Sequence, residues 1–403
     1  MSPRNFLSLS KSIARLALIP IVGFAMSWAL FAVPGSDAAS EQEAEPGIFY
    51  RNDRFPEVPW SIHVVKVERD HREFDFVTTK AKDTVLGLST LTEQIKTIPP
   101  EAGTPTVAIN GDFYKTERER YPGDPRGLLI IRGELVSSPI DRACMWLDTE
   151  ANPRITNVIS RFTVTLPGSE KLRMGLNEDP SGFPAVLFTP RLGPSTGTSN
   201  RIDLVLEHDG EDAWLPLRIG TEYSARIREI KFGGNALLAT NIMVLSVNTQ
   251  VMKRVPKLEA GSVVKLSTAT TPDLTGVRTA IGGGPALLRE GKVVPLKKSS
   301  KPGAALAYSE RSLFERHPRS ALAWNDKYFY FVEVDGRQKG LSMGMTLDEL
   351  SNYLLKMGCT DALNLDGGGS STIWLKGKVM NSPCFGYLRN TATTFVLVRK
   401  EKP

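Results

Sequence analysis

The feature that most constrains this chain is a run of three glycines at 367–369, set between two apolar segments at 362–365 and 372–375. Short apolar runs bounded by such a loop are typical of buried strands. Because glycine accepts positive φ and leaves backbone amides accessible, the run predicts a tight loop whose amides can form an anion-binding nest. A nucleotide-binding P-loop is excluded, because Gly-Lys-Ser/Thr is missing and a strand follows instead of a helix.

Three other stretches, at 128–136, 286–294 and 373–380, share one local form: an apolar strand, a turn holding a charged residue and a glycine, and a second apolar strand. Glycine in so short a connection is a hairpin signal. Residues 161–266 alternate short apolar runs with Gly and Pro turns, and no linker separates them from their surroundings. We therefore predict an α+β fold over 60–400: a single β-rich domain of mixed sheet with hairpins and a few helices, its site at strand ends and glycine-rich loops.

Two helices and one long strand have clear local signals. Thr346 and Glu349 form a capping box, and Gly358 supplies a positive-φ end, which predicts a helix between them. A shorter helix is predicted at 88–98, where two prolines follow. The aromatic and β-branched residues at 328–334 predict a strand.

The N-terminal segment has the pattern of a targeting sequence. Three basic residues among the first 15 precede an apolar stretch at 16–33, and small residues follow at 36–40. We interpret 1–39 as a signal peptide or an N-terminal membrane anchor, since the stretch approaches the ~20 residues that span a bilayer. Residues 40–59 are predicted to be a flexible lead-in. Either interpretation predicts an exported protein, periplasmic or extracellular.

The formal net charge of +6 includes no dense Lys/Arg stripe interleaved with aromatic residues, so we expect no nucleic-acid partner. Membrane contact is expected only through an uncleaved anchor. The cysteines Cys144, Cys359 and Cys384 allow at most one internal disulfide, and the sequence leaves open whether Cys359 pairs with Cys384 or all three stay buried thiols. Cys-x-x-Cys is missing, which disfavours structural zinc. No cofactor is required by the sequence, although a divalent cation is compatible with carboxylates near a phosphate site.

The best candidates for chemistry stand at predicted strand ends. Asp366 follows the strand before the glycine loop, and Asn364, two residues earlier, points to the same face. Asn110 and Asp112 follow a short strand predicted at 106–109 and repeat the same arrangement of an amide, a glycine and a carboxylate. The plainer interpretations are an ordinary glycine turn for the first group and core packing for the aromatic neighbours of the second.

Two further residues have competing interpretations. Ser342 lies in a Gly-x-Ser-x-Gly match, which is the nucleophile elbow of serine hydrolases. It stands seven residues beyond Asp335 and four before Thr346, instead of directly between strand and helix, and no histidine follows it. A serine esterase is therefore a less favoured alternative. Arg319 is either a bidentate ligand of phosphate or carboxylate or a plain surface arginine.

Together these segments resemble the phosphodiester glycosidase family, whose bacterial exported relatives include proteins described as exopolysaccharide-related. Order and spacing agree from about residue 60 to the end, with two departures: the family usually has Thr at Ser320 and often Gly at Asp112. The matching segments are 108–114, 283–288, 318–321, 334–337, 342–350 and 362–371.

The resemblance implies a hydrolase, a glycosidase that cleaves the bond between an anomeric carbon and a phosphodiester, with a carbohydrate or sugar-phosphate as substrate. The alternative is a non-catalytic glycan-binding or exopolysaccharide-assembly module. Sugar, aglycone, stereochemical outcome, metal requirement and oligomeric state stay open. The candidate catalytic residues are Asp366, Asp335 and Asp112, and the candidate substrate-binding residues are Asn110, Arg319, Ser342, Asn364, Gly367, Gly368, Gly369 and Ser370.

Overall fold

The structure is a computed structural model, and it describes residues 37–38, 40–168, 171–210, 213–255, 258–296 and 310–400. The predicted signal peptide or anchor at 1–39 lies almost wholly outside these residues. Residues from Ser36 onward form one compact unit. Among the described residues, no helix combines the length and the apolar character needed to cross a membrane.

The described residues form 27 strands and four α-helices. The strands are β1 Asp37–Ala38, β2 Gln42–Glu45, β3 Ile48–Phe55, β4 Trp60–Glu68, β5 Phe74–Lys80, β6 Thr104–Asn110, β7 Leu129–Ile131, β8 Glu134–Ser137, β9 Arg142–Leu147, β10 Pro153–Ser160, β11 Thr163–Thr165, β12 Lys171–Leu176, β13 Ala185–Phe188, β14 Arg201–His208, β15 Glu222–Phe232, β16 Met243–Asn248, β17 Val263–Ser267, β18 Thr270–Thr271, β19 Ala280–Gly282, β20 Ala286–Arg289, β21 Lys292–Val293, β22 Arg319–Trp324, β23 Tyr328–Val334, β24 Asp361–Asn364, β25 Ile373–Leu375, β26 Lys378–Val379 and β27 Thr393–Arg399. The helices are α1 Leu91–Ile95, α2 Thr249–Met252, α3 Glu310–Phe314 and α4 Leu347–Lys356.

Two sheets enclose the central core. A nine-stranded sheet has the order β1-β3-β4-β23-β22-β24-β20-β21, with β2 pairing to β3, and a five-stranded sheet has the order β26-β25-β6-β27-β5. Apolar residues of both sheets form one cluster between them, centred on the stacked rings of Phe76, Phe329 and Phe395. The helix α4 packs on the other face of the large sheet through Leu350 and Leu354.

The middle of the chain forms a closed barrel, in the order β11-β12-β13-β16-β14-β15-β17. Its interior is filled by alternating apolar residues such as Leu204, Leu206 and Leu245. All strand pairs are antiparallel except β12 with β13. A six-stranded sheet, β18-β10-β9-β19-β7-β8, contributes residues to the same apolar cluster. The prediction of an α+β, β-rich fold of mixed sheet is confirmed.

The three predicted hairpins are confirmed, and each turn has the same geometry. The two central residues of each turn both have positive φ, as type I′ turns require. This conformation matches the twist of the flanking strands, which explains why a glycine occupies the second position each time. The central pairs are Arg132-Gly133, Glu290-Gly291 and Lys376-Gly377.

The capping box at α4 is also confirmed. The Glu349 amide donates to the Thr346 hydroxyl at 3.1 Å, and the Thr346 amide donates to the Glu349 carboxylate at 2.8 Å. The helix predicted at 88–98 is shorter, because the Thr90 side chain caps it on one side and Pro99 and Pro100 begin a new turn on the other.

The prediction of a flexible lead-in at 40–59 is corrected by the structure. This segment contains β2 and β3, and β3 pairs along its whole length with β4. Ile48 is fully buried in the central core. The charged residues of the segment hid this role in the sequence: Arg51 pairs with Asp53, and Asp53 is itself buried and accepts from the Tyr353 hydroxyl of α4.

Candidate functional site

The ends of four strands meet beside the glycine loop. Asn110 ends β6, Arg319 begins β22, Val334 ends β23 and Asn364 ends β24. The register places Arg319 opposite Val334, and Asn364 opposite the β22 residue Ala321. A cleft of about 380 Å³ opens there. Asp366 is the one carboxylate among its described lining residues, and the groups that can carry positive charge are Arg311, His317, Arg319 and Arg337.

Asp366 is held through its backbone. The amide of Asp366 donates to the Gly111 carbonyl at 3.0 Å, and the Asn110 side chain donates to the Asp366 carbonyl at 2.7 Å. Burial raises the pKa of the carboxyl to about 6, and the nearby Ser370 hydroxyl and Arg389 guanidinium offset part of that rise. The carboxyl therefore changes its protonation state close to neutral pH at a fixed place in the cleft. Its catalytic role stays a prediction.

Asn110 supports the loop and does not face the cleft. The residue is 1% exposed, and its side-chain oxygen accepts from the Ser320 hydroxyl at 2.6 Å and from the Thr372 amide at 3.0 Å. Both ends of the amide are therefore used inside the protein. In this structure Asn110 holds the Asp366 backbone in place, and its predicted contact with substrate stays a prediction.

The glycine loop is built differently from the predicted anion nest. The Gly367 amide donates to the Asp366 carboxylate at 3.0 Å, and the Gly368 amide donates to the Pro318 carbonyl at 2.9 Å. These two amides are not free to bind a substrate anion. Gly368 has a φ of +64°, and a Cβ at this position would lie 3.0 Å from the Arg337 guanidinium. Glycine is required here because it lets the guanidinium approach the loop.

Arg337 and His317 form the cationic wall of the cleft. Arg337 is exposed, and its Nη2 lies 3.2 Å from His317 Nδ1, while His317 Nε2 lies 3.2 Å from the Arg311 carbonyl. A guanidinium can only donate and a carbonyl can only accept, so the ring accepts at Nδ1 and carries its proton at Nε2. Burial, with Arg319 and Arg337 nearby, lowers the pKa of His317. The imidazole is therefore neutral, and the guanidinium provides the charge.

Arg319 lies in the cleft wall but is committed to the protein. The side chain is 3% exposed, and its three nitrogens donate to the carbonyls of Met345, Ser312 and Glu315 at 2.7 Å each. The guanidinium is not on the surface, and three of its N–H groups already hold three segments together, so its predicted binding of phosphate or carboxylate stays a prediction. Its remaining contribution is a positive charge behind the cleft.

Asp335 lies outside the cleft lining, in a separate buried cluster. Its carboxylate accepts from His63 Nε2 at 3.0 Å, from the Ser61 hydroxyl at 2.9 Å and from the Ser382 amide at 2.7 Å. The candidate ligand atoms of His63, Glu333 and Asp335 all lie within 4.8 Å of one another. Among the described residues, this is the one group that is able to hold a metal ion. The structure thus places Asp335 away from Asp366, and its catalytic role stays a prediction.

Ser342 cannot act as a nucleophile in this structure. It is fully buried, and its hydroxyl donates to the Asp335 carbonyl at 2.5 Å. This burial disfavours both predicted roles of Ser342, the substrate contact and the esterase nucleophile, which stay predictions. The Gly-x-Ser-x-Gly match reflects a loop in which Gly344 has positive φ and packs against the His317 backbone.

Asp112 is buried beneath the site and does not line the cleft. Its carboxylate lies between two backbones, since a Cβ at Gly282 would be 2.2 Å from Oδ2 and one at Gly127 would be 2.8 Å away. Burial raises the pKa of Asp112 to about 7, and the negative charge of Asp366 adds to this rise. Asp112 is therefore a buried neighbour that interacts with Asp366 electrostatically, and its catalytic role stays a prediction.

Two further predicted residues, Asn364 and Ser370, lie at the cleft or next to Asp366. Asn364 lines the cleft, and while its nitrogen donates to the Gly284 carbonyl at 2.9 Å, its oxygen is buried without a partner. Ser370 is fully buried and acts on Asp366, whose pKa it lowers. The three cysteines are free thiols, so the structure has no Cys359–Cys384 bridge.

Sequence reasoning missed Arg337, Arg311 and His317 as site residues. Arg337 follows Gly336 in a matching segment of the family, but its φ of +59° is unusual for a residue with a Cβ and was not predicted. His317 and Arg311 come from α3 and the segment after it, and reach the cleft only through tertiary packing. The signal available in the sequence was a basic residue three positions after the end of β23.

Comparisons with known proteins concern the family that this chain resembles and its fold. The phosphodiester glycosidase family model matches residues 229–398, which contain most of the cleft, and this confirms the resemblance seen in the sequence. A prophage-derived protein of Bacillus subtilis, YomE, is 35% identical over 103 residues, which is 25% of this chain and 16% of that protein. The chain thus spans only a small part of this relative.

Two solved structures share the fold. A Synechocystis protein superposes with a TM-score of 0.71 at 18% identity, over 91% of this chain and 64% of that one. A Burkholderia pseudomallei protein described as exported superposes with a TM-score of 0.63 at 18% identity, over 84% of this chain and 74% of that one. These two likenesses cover 91% and 84% of this chain, so the shared fold extends beyond residues 229–398.

Proposed function

We propose, from the premise that residues 229–398 carry the phosphodiester glycosidase domain, that this chain hydrolyses the bond between a sugar's anomeric carbon and the phosphate of a sugar-1-phosphodiester. One observation carries the proposal. Among the described lining residues of the cleft, Asp366 is the one carboxylate, and the charged residues beside it are arginines. Arginines suit an anionic leaving group such as phosphate. A carboxylate suits a reaction in which positive charge develops at a sugar carbon.

The cationic wall acts on the phosphate. A phosphate monoester is already a good leaving group, so protonating it contributes less than stabilising its charge as the bond breaks. Arg311 and Arg337 are both exposed in the lining, but Arg311 pairs with Glu315 at 3.2 Å, so we assign the contact with the phosphate oxygens to Arg337. Arg319 adds positive charge from behind. Preorganised charges of this kind stabilise the transition state because they do not need to reorient during the reaction.

Asp366 acts on the sugar in its ionised form. As the bond to phosphate breaks, positive charge develops at the anomeric carbon, and a carboxylate stabilises it or directs water to it. The two backbone bonds from Gly111 and Asn110 fix where this carboxylate stands. The pKa of about 6 keeps it largely ionised at neutral pH.

We further propose that the reaction takes place outside the cytoplasm, on exported glycan or envelope material. The basic and apolar leader supports this proposal. The description of the Burkholderia pseudomallei protein as exported is in agreement with it.

The test is sugar release from a panel of sugar-1-phosphodiesters by the chain from residue 40 onward. We expect release by the native protein and a loss of at least about 1000-fold in Asp366→Asn, because the reacting carboxylate is removed while the loop is kept. Asp326→Asn is the matched control, an exposed aspartate at the opposite end of the same strands. Full activity of Asp366→Asn would refute the assignment, and absence of release by folded protein across the panel would favour the glycan-binding alternative.

A further inference from the structure

Two aromatic rings stand exposed close to the glycine loop. Phe385 and Tyr387 are 51% and 65% exposed, and their rings stack with centroids 5.9 Å apart and planes inclined by 26°. Most other aromatic side chains in the described part of the chain are packed into the sheets or the barrel. Two stacked rings left open to solvent form a flat apolar surface, which we call the aromatic platform.

The aromatic platform begins at the loop that carries the site. A Cβ at Gly369 would lie 2.2 Å from the Phe385 ring, so the ring rests directly on the backbone of this glycine. At the preceding residue, Gly368, the neighbour is the Arg337 guanidinium, 3.0 Å from where a Cβ would be. Consecutive Cα atoms are about 3.8 Å apart. The platform and the guanidinium therefore flank one loop, which starts at Asp366.

The segment that carries the platform is bonded firmly to the protein. The Ser382 amide donates to the Asp335 carboxylate at 2.7 Å, and the Gln338 side chain donates to the Ser382 carbonyl at 2.7 Å. Between the two rings, Gly386 has a φ of +76° and its amide donates to the Pro383 carbonyl at 2.8 Å. The rings are thus presented by an ordered turn, with Gly386 supplying the conformation that places them side by side.

The chemistry of the platform differs from that of the cationic wall. An aromatic face is apolar and has a negative quadrupole, so it attracts the C–H face of a pyranose ring and not a phosphate. We propose that Phe385 and Tyr387 form the subsite for a neutral pyranose ring, with the phosphate on the Arg337 side of the same loop. This inference rests on the proposed function, and it identifies the sugar as a neutral pyranose.

Binding of free neutral sugars tests the subsite without turnover. The probes are hexoses and N-acetylhexosamines, titrated into the full chain by ligand-observed NMR. We expect at least one to bind to the native protein, Phe385→Ala to weaken it about tenfold, and Phe385→Tyr to retain it because the ring is kept. Inorganic phosphate should not displace the sugar. Phe232→Ala is the control, since Phe232 is 76% exposed but lies on the barrel strand β15.

The outcomes separate this inference from the proposed function. If no neutral sugar binds, or if Phe385→Ala and Phe232→Ala bind alike, the subsite is wrong even when the native protein releases sugar from phosphodiesters. Sugar binding that depends on Phe385, in a protein without turnover, would support the subsite and refute the glycosidase. Binding of the platform to neutral lipid vesicles in place of sugars would also overturn the assignment of the pyranose subsite. In the active protein, Phe385→Ala should raise KM more than it lowers kcat.

Discussion

The barrel and the cleft end of the two-sheet core bury side chains of opposite character. The barrel interior is filled by apolar residues such as Leu204 and Leu245. At the cleft end, the residues between the sheets are Asn110, Ser320 and Glu333, all at most 1% exposed. Buried polar groups cost stability unless they are hydrogen-bonded. The difference indicates that apolar packing stabilises the barrel. At the cleft end, hydrogen-bonded polar residues replace part of the apolar core and hold the glycine loop in place.

The hydrogen bonds at the cleft end tie the glycine loop to the strands around it. The Asn110 side chain joins β6 to Ser320 on one side and to the Asp366 backbone on the other. The Asn381 side chain joins Glu333 to the Ser371 carbonyl in the same way. The Asn110 bonds and the Asn381–Glu333 bond connect elements far apart in sequence, so the glycine loop is fixed relative to both sheets. Mutations in the two regions should therefore have different consequences.

The largest effect is expected in the barrel. Leu204→Ala, which truncates a fully buried side chain of β14, should lower the free energy of unfolding by about 2–5 kcal/mol through lost burial and a cavity. Activity per folded molecule should not change, because the barrel holds no group of the cleft. Denaturant unfolding and kcat/KM measure the two quantities, and Leu237→Ala, at a leucine 74% exposed, is the control. A loss of specific activity in Leu204→Ala would break the comparison.

The opposite pattern is expected for Arg337→Ala. Removing the exposed guanidinium should lower kcat/KM about 100–1000-fold, the usual cost of losing one preorganised donor at developing negative charge. Stability should stay almost the same, since the side chain is exposed. Arg228→Ala, an exposed arginine on the barrel strand β15, is the matched control and should keep full activity. Equal activities of the two variants would remove the phosphate role from Arg337.

The smallest effect concerns pH. Burial first, and then the Asp335 charge, raises the pKa of Glu333 well above its ordinary 4.5, so the folded protein holds a proton that the unfolded chain releases. This effect makes stability fall as pH rises above about 4.5, by at most about 1.4 kcal/mol per pH unit. Glu333→Gln should flatten that decline in unfolding experiments between pH 5 and 8. The exposed Glu229→Gln in the barrel should leave the slope as it is, and parallel slopes for both variants would contradict the assignment.

Local signals made much of the fold predictable. The hairpins depend on turn residues at fixed positions, and α4 depends on the Thr346 and Glu349 cap, so the sequence alone suffices. The glycine loop and Asp366 were predicted for the same reason, because a glycine run after a buried strand restricts the backbone strongly. The barrel appeared only as a β-rich segment, since closure depends on pairing between strands such as β11 and β17.

Side-chain roles in the site were less predictable. Asn110 was expected to contact substrate, but its partner is the Asp366 backbone, 256 residues away. Arg319 was expected to bind phosphate or lie on the surface, but three carbonyls surround it, two of them from the segment 312–315. A polar residue at a strand end can face the cleft or brace it. Only the tertiary contacts decide between these, and the same contacts leave Arg337 exposed at the cleft.

The most direct test of the central claim is the pH dependence of kcat/KM on a sugar-1-phosphodiester. If Asp366 acts in its ionised form, activity must rise with pH through about 6, the pKa that burial gives this carboxyl. The same rising limb should remain in His317→Gln, which excludes the imidazole as its source. Activity that is constant across pH 5 to 7, or that falls as the carboxyl ionises, would contradict the account.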